Sequence, residues 1–140
     1  MAKPISTQVH GIFDYISVPT LLALPRILNW NKKITNLLTG VALGTLGTSL
    51  MTRYELGIFK VIPMPGHLAI DIASASTVAA APFLLLNETE RDSTLIALLT
   101  GIGISEIMIA LLTRTQPSFD SDNALGVVIE KARETVGAGQ

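Results

Sequence analysis

Residues 36–53, NLLTGVALGTLGTSLMTR, lie over residues 97–114, ALLTGIGISEIMIALLTR, with 7 of 18 positions identical. Both segments open on Leu-Leu-Thr-Gly (ending at Gly40 and Gly101) and close on Thr-Arg (Thr52-Arg53 and Thr113-Arg114). The stretches just upstream match as well. His10 falls on His67, Asp14 on Asp71, Ser17 on Ser74, Thr20 on Thr77 and Pro25 on Pro82. The upstream pair is offset by 57 residues and the downstream pair by 61, so the second copy carries a longer internal turn. Self-similarity of this kind marks a chain built from a repeated supersecondary unit.

The repeated unit is a helical hairpin. Four apolar stretches, at about 9–24, 34–51, 67–86 and 94–113, are each near the ~20 residues that cross a ~30 Å hydrocarbon core. They are apolar around most of their circumference, which suits lipid better than the surface of a soluble globule. Gly40, Gly44 and Gly47 would weaken a soluble helix, whereas small residues at Gly40-x-x-x-Gly44 and at Gly101 and Ser105 allow close helix approach in a membrane. Composition agrees. Apolar residues make up 49% of the 140 positions and charged residues 15%, against about a quarter charged in a typical soluble domain. The mean hydropathy is +0.50.

The expected fold is all-α: a four-transmembrane-helix bundle made of two tandem parallel hairpins, about 9–53 and 67–114, plus an interfacial tail at 115–140. The tail carries an amphipathic helix, with Leu125, Val128, Ile129, Ala132 and Val136 at helical spacing. The whole chain forms a single membrane domain. Two spans per copy put both copies in the same orientation, with the termini and the 54–66 connection on one side. Lys and Arg number six on that side and four on the other, a distribution that points to cytoplasmic termini in a bacterial inner membrane. Tyr15, Trp30 and Tyr54 are expected as interface anchors. Asp92 or Ser93 should cap the fourth helix.

Ionisable groups inside a span are expensive and mark function. His10/Asp14 and His67/Asp71 each have i, i+4 spacing, which places both side chains on one helix face. The parallel repeat brings the two pairs to one depth, with Glu106 somewhat deeper. His10, Asp14, His67, Asp71 and Glu106 are therefore the candidate ligand or metal residues. The expected function is that of a structural or interaction subunit whose His–Asp pairs network the bundle; the alternatives are a divalent metal or other cofactor and a proton or ion path, which draw on the same cluster. A separation of the two imidazoles under about 6 Å allows a shared ligand, and one beyond roughly 12 Å makes them separate contacts. The Glu-x-x-His spacing of di-iron bundles is absent, and both His lie too near the helix starts for a typical haem site.

Other chemistry is excluded or unsupported. Cysteine is absent, which removes disulfides and thiolate chemistry. Net charge is −1, so no basic surface exists for nucleic acid. No nucleophile elbow, phosphate-binding loop or dinucleotide fingerprint occurs, and the chain is not expected to be an enzyme. Its expected partners are the lipid bilayer and either further copies of itself or a larger membrane complex. No cofactor identity follows.

A proline closes the first apolar run of each hairpin, at Ala23-Leu24-Pro25 and Ala81-Pro82-Phe83. In this layout the chain resembles the small prokaryotic membrane proteins of the SPW-repeat type, with Leu-Pro-Arg and Ala-Pro-Phe standing where that family has Ser-Pro-Trp. The resemblance implies a helical-repeat architecture and carries no activity or site residue.

Overall fold

A computed structural model describes residues 3–119. Four α-helices run in order: α1 (Thr7–Ile27), α2 (Lys32–Met51), α3 (Met64–Leu85) and α4 (Ser93–Leu112). Among the described residues there are no strands, only two isolated bridges. The amphipathic segment expected at 124–136 lies outside the described residues.

Local chemistry fixes the helix ends. Ser6 caps α1 by accepting from the Val9 amide, Asn31 caps α2 through Lys33, and Asp92 caps α4 through Leu95. Each supplies an acceptor for an amide that has no partner within its helix. α3 instead starts after Pro63, with Pro65 in its first turn, where a missing amide costs nothing. α1 ends in a Schellman turn. Asn29 takes a left-handed φ of 50°, Trp30 N–H donates to Pro25 O at 2.9 Å, and Asn29 N–H donates to Arg26 O at 3.4 Å. Pro25 and Pro82 therefore lie inside their helices, which run two or three residues beyond them. The expectation that these prolines end the helices is corrected accordingly. At the end of α3, Arg91 Nε donates to Pro82 O and Leu86 O, both at 3.0 Å, satisfying carbonyls the helix leaves open.

Among the described residues three helices, α2, α3 and α4, are long and apolar enough to cross a membrane. This corrects the expectation of four. α1 is long enough, but His10, Asp14 and Arg26 accompany Thr7 and Gln8 in it, and they dilute its apolar content. Its outer face is nonetheless apolar, with Val9, Ile12, Phe13 and Ile16 exposed.

The interior is divided by polarity. Toward the two short turns, Val18, Leu21, Ile34, Leu38, Leu95 and Leu99 form an apolar core. Toward the opposite end, Tyr54, Met64, Leu68 and Ala110 form a smaller cluster beside buried His, Asp and Thr side chains. α3 and α4 approach closely at Gly103, where an added Cβ would come within 2.5 Å of Ala75 O and 2.7 Å of Ala79 Cβ. Gly40, Gly44, Gly47 and Gly101 face open space instead. Among the described residues the Gly40-x-x-x-Gly44 pattern thus packs closely against no other helix, contrary to expectation.

Equivalent positions make equivalent contacts at the polar end. Ile5 bridges Thr113 and Ile62 bridges Thr52, positions related by the same 57 and 61 offsets. Arg114 N–H donates to Ile5 O at 2.9 Å, and Arg53 N–H donates to Ile62 O at 2.8 Å. These bonds tie the end of each second helix to the residue preceding a first helix. The 52–63 connection folds back over α2, with Ile58 and Val61 amides donating to Leu50 O and Met51 O at 2.8 Å.

Candidate functional site

The two His–Asp helices start at the same end of the molecule. In each, i, i+4 spacing puts the imidazole and the carboxylate on the face turned toward the other hairpin. The rings of His10 and His67 meet edge to face with centroids 5.4 Å apart, inside the limit for a shared ligand.

The pairing is reciprocal across the hairpins. His10 Nε2 lies 3.0 Å from Asp71 Oδ2 and 3.5 Å from Asp14 Oδ1. His67 Nε2 lies 3.0 Å from Asp14 Oδ2 and 3.1 Å from Asp71 Oδ2. All four residues are buried, and one ligand atom from each lies within 4.8 Å of the rest. For a tetrahedral ion with ligand bonds of about 2.0–2.1 Å, neighbouring donor atoms sit roughly 3.3 Å apart. The imidazole–carboxylate separations bracket that length.

Two threonines orient the rings. Thr113 Oγ1 is 2.6 Å from Ile109 O and 3.0 Å from His10 Nδ1. Thr52 Oγ1 is 2.6 Å from Thr48 O and 2.9 Å from His67 Nδ1. A threonine hydroxyl has one proton. Here it is donated to the helix carbonyl, so each oxygen accepts from a ring Nδ1–H. Both Nε2 atoms are thereby turned toward the carboxylates. A histidine held in this way through its other nitrogen is oriented as a metal ligand. Ser49 Oγ donates to Asp14 Oδ2 at 2.8 Å, fixing one carboxylate further.

Charge balance limits how this quartet can exist in a buried site. Two aspartates bring two negative charges, and uncompensated charge in a low-dielectric interior is strongly unfavourable. Two imidazolium rings neutralise them, and so does one divalent cation with both rings neutral.

Glu106 stands apart from the quartet. Its Oε1 accepts from Ser17 Oγ at 3.0 Å. It shares with His10, Asp14 and Asp71 a cavity of about 260 Å³. Among the expected anchors, Tyr15 is partly buried and donates to Leu56 O at 3.1 Å, and Trp30 packs against the apolar core. Tyr54 departs from an anchor position altogether. It is fully buried, stacked on His67 at 6.0 Å, and its hydroxyl has no hydrogen-bond partner among the described residues. Gly11 makes room for it, since a Cβ there would come within 2.1 Å of the Tyr54 ring. Burial pushes the Tyr54 phenol pKa up, so the ring stays neutral beside the quartet.

Thr52, Thr113, Ser49 and Gly11 are site residues that composition and spacing alone did not single out. The signal for the threonines was present, because Thr-Arg recurs at 52–53 and 113–114. No protein-family model, curated protein or solved structure matches this chain.

Proposed function

We propose that this protein is a small integral membrane protein that binds one divalent first-row metal ion at His10, Asp14, His67 and Asp71. The observation that carries this reading is the orientation of the rings. Both Nδ1–H groups are committed to threonine oxygens, and both Nε2 atoms converge on two carboxylates. Two imidazoles and two carboxylates suit Zn²⁺ and its neighbours. Four protein ligands make the site closed, as in structural or storage sites, and the chain carries no catalytic motif. In this reading the two hairpins are copies of one unit that share a single ion at their interface.

The membrane placement belongs to the same proposal. α2, α3 and α4 span the bilayer, and α1 completes a four-helix bundle, its polar residues turned to the quartet and its apolar face to lipid. The termini are cytoplasmic in a bacterial inner membrane, an SPW-like repeat arrangement that serves within a homo-oligomer or a larger membrane complex.

A metal-free clamp is the second reading, and the closed ring of imidazole–carboxylate contacts favours it. Elemental analysis separates the two. After stripping with chelator and reloading with Zn²⁺ in lipid nanodiscs, the metal reading expects one ion per chain, and less than about a tenth of that in His67→Ala. Protein that folds normally and retains no stoichiometric metal would leave the clamp.

A further inference from the structure

The cavity beside the quartet lies between α1 and α4, which pack less closely than the other neighbouring helices. Its walls are mostly apolar, including Phe13, Ile16, Leu21, Ile102 and Ile109. Its charged wall residues are Asp14, Asp71 and Glu106 with His10, and among the described residues neither Lys nor Arg lines it. The equivalent groove between α2 and α3 is lined by Val41, Gly44, Thr48, Ile70 and Ser74, and it reaches neither the His nor the Asp side chains. At the position matching Glu106 the first hairpin has Thr45. The two hairpins are therefore alike at the quartet and different at this cavity, so Glu106 is not needed to close the fold.

With the quartet internally neutral, Glu106 is the unbalanced group. It lies about two helical turns in from the end of α4, and its hydrogen-bond donor is the neutral Ser17 hydroxyl. A carboxylate at membrane depth takes a positive partner or a proton. The apolar walls disfavour a hydrated metal ion, which would have to shed its water against hydrocarbon. They suit a cation that brings its own apolar body, and Phe13 adds an aromatic face.

We infer that the cleft between α1 and α4 binds a membrane-partitioning cation, a single ammonium group on an apolar body, with the ammonium beside Glu106. The apolar body runs along the seam toward lipid, past Ile102 and Ile16. The site does not depend on metal in the quartet, because both states of the quartet carry the same net charge.

The test uses the full chain in phosphatidylcholine nanodiscs, with chelator and again with Zn²⁺, and a spin-labelled octylammonium probe read by electron paramagnetic resonance. The neutral octyl alcohol carrying the same label measures partition into lipid. One saturable site per chain is expected for the ammonium in both conditions and none for the alcohol. Glu106→Gln keeps the shape of the side chain and removes its charge, so it should weaken binding at least tenfold. Ile102→Trp, which fills the seam, should do the same without touching a charged group, and it decides the matter if Glu106→Gln fails to fold. Equal binding of the alcohol and the ammonium, or full binding to folded Glu106→Gln or Ile102→Trp, would overturn the inference. Loss of Zn²⁺ binding with the ammonium site intact would count against the metal reading alone.

Discussion

Thr52 and Thr113 determine which nitrogen of each imidazole is free. Each sits at the end of a helix, gives its hydroxyl proton to the carbonyl four residues back, and receives Nδ1–H from the adjacent hairpin's histidine. Replacing either by valine keeps the shape and removes that acceptor. Loss of such a supporting contact typically lowers metal affinity 10–100-fold, and near-equivalence of the two sites means Thr52→Val and Thr113→Val should weaken Zn²⁺ binding by similar factors in a competition titration. Gly11→Ala tests the other side of the site. Its methyl would overlap the Tyr54 ring, and overpacking of this sort costs about 1–3 kcal/mol, to be read as a fall in unfolding midpoint. The paired His and Asp were legible in the sequence because ionisable residues are conspicuous in apolar runs. The repeat marked the threonines but not their role, because a hydroxyl in a membrane-like helix is ordinary until its partner is known, and here that partner is 15 or 103 residues away.

The helices were the most legible level, since apolar runs and capping residues mark their ends locally. The sequence offers Asp92 or Ser93 as the cap of α4, and Asp92 takes that position. Close approach between helices is different, because which glycine faces a neighbour depends on rotation about the helix axis. The Gly40-x-x-x-Gly44 pattern suggested packing, but the tight crossing occurs at Gly103 against Ala75 and Ala79. Gly103→Ala should therefore push α3 and α4 apart and lower the unfolding midpoint. Gly101→Ala, two residues away with open space around it, should leave stability unchanged or raise it by up to about 1 kcal/mol through helix propensity. Equal effects from the two substitutions would contradict the packing described. α3 carries the matching His67/Asp71 pair and is still apolar enough to span, so α1 falls short because Thr7, Gln8 and Arg26 add to its own His10/Asp14 pair.

At the scale of the molecule, the chain separates an apolar plug near the short turns from a charged quartet near the opposite end. Each first helix contributes an imidazole and a carboxylate, and each second helix contributes the hydroxyl that orients an imidazole. The recurrence of His-x-x-x-Asp indicated that the two pairs could meet, and the 5.4 Å ring separation agrees with that expectation. The cross-pairing of His10 with Asp71 and His67 with Asp14 was beyond sequence reach, because it depends on how the hairpins face each other. Metal entering the quartet has to displace up to two Nε2 protons, so apparent affinity should rise with pH and fall on acidification, by up to a hundredfold per unit while both rings are protonated. Calorimetric titrations at several pH values, in buffers that differ in protonation enthalpy, measure the number released.

The most direct test of the shared ion is a Co²⁺ titration of the chelator-stripped protein in nanodiscs, followed by visible absorption. A tetrahedral site of two imidazoles and two carboxylates should give d–d bands that saturate at one equivalent, and these bands should vanish in the His10→Ala, His67→Ala double variant. A spectrum no different from Co²⁺ in buffer, or one unchanged in that variant, would contradict the account.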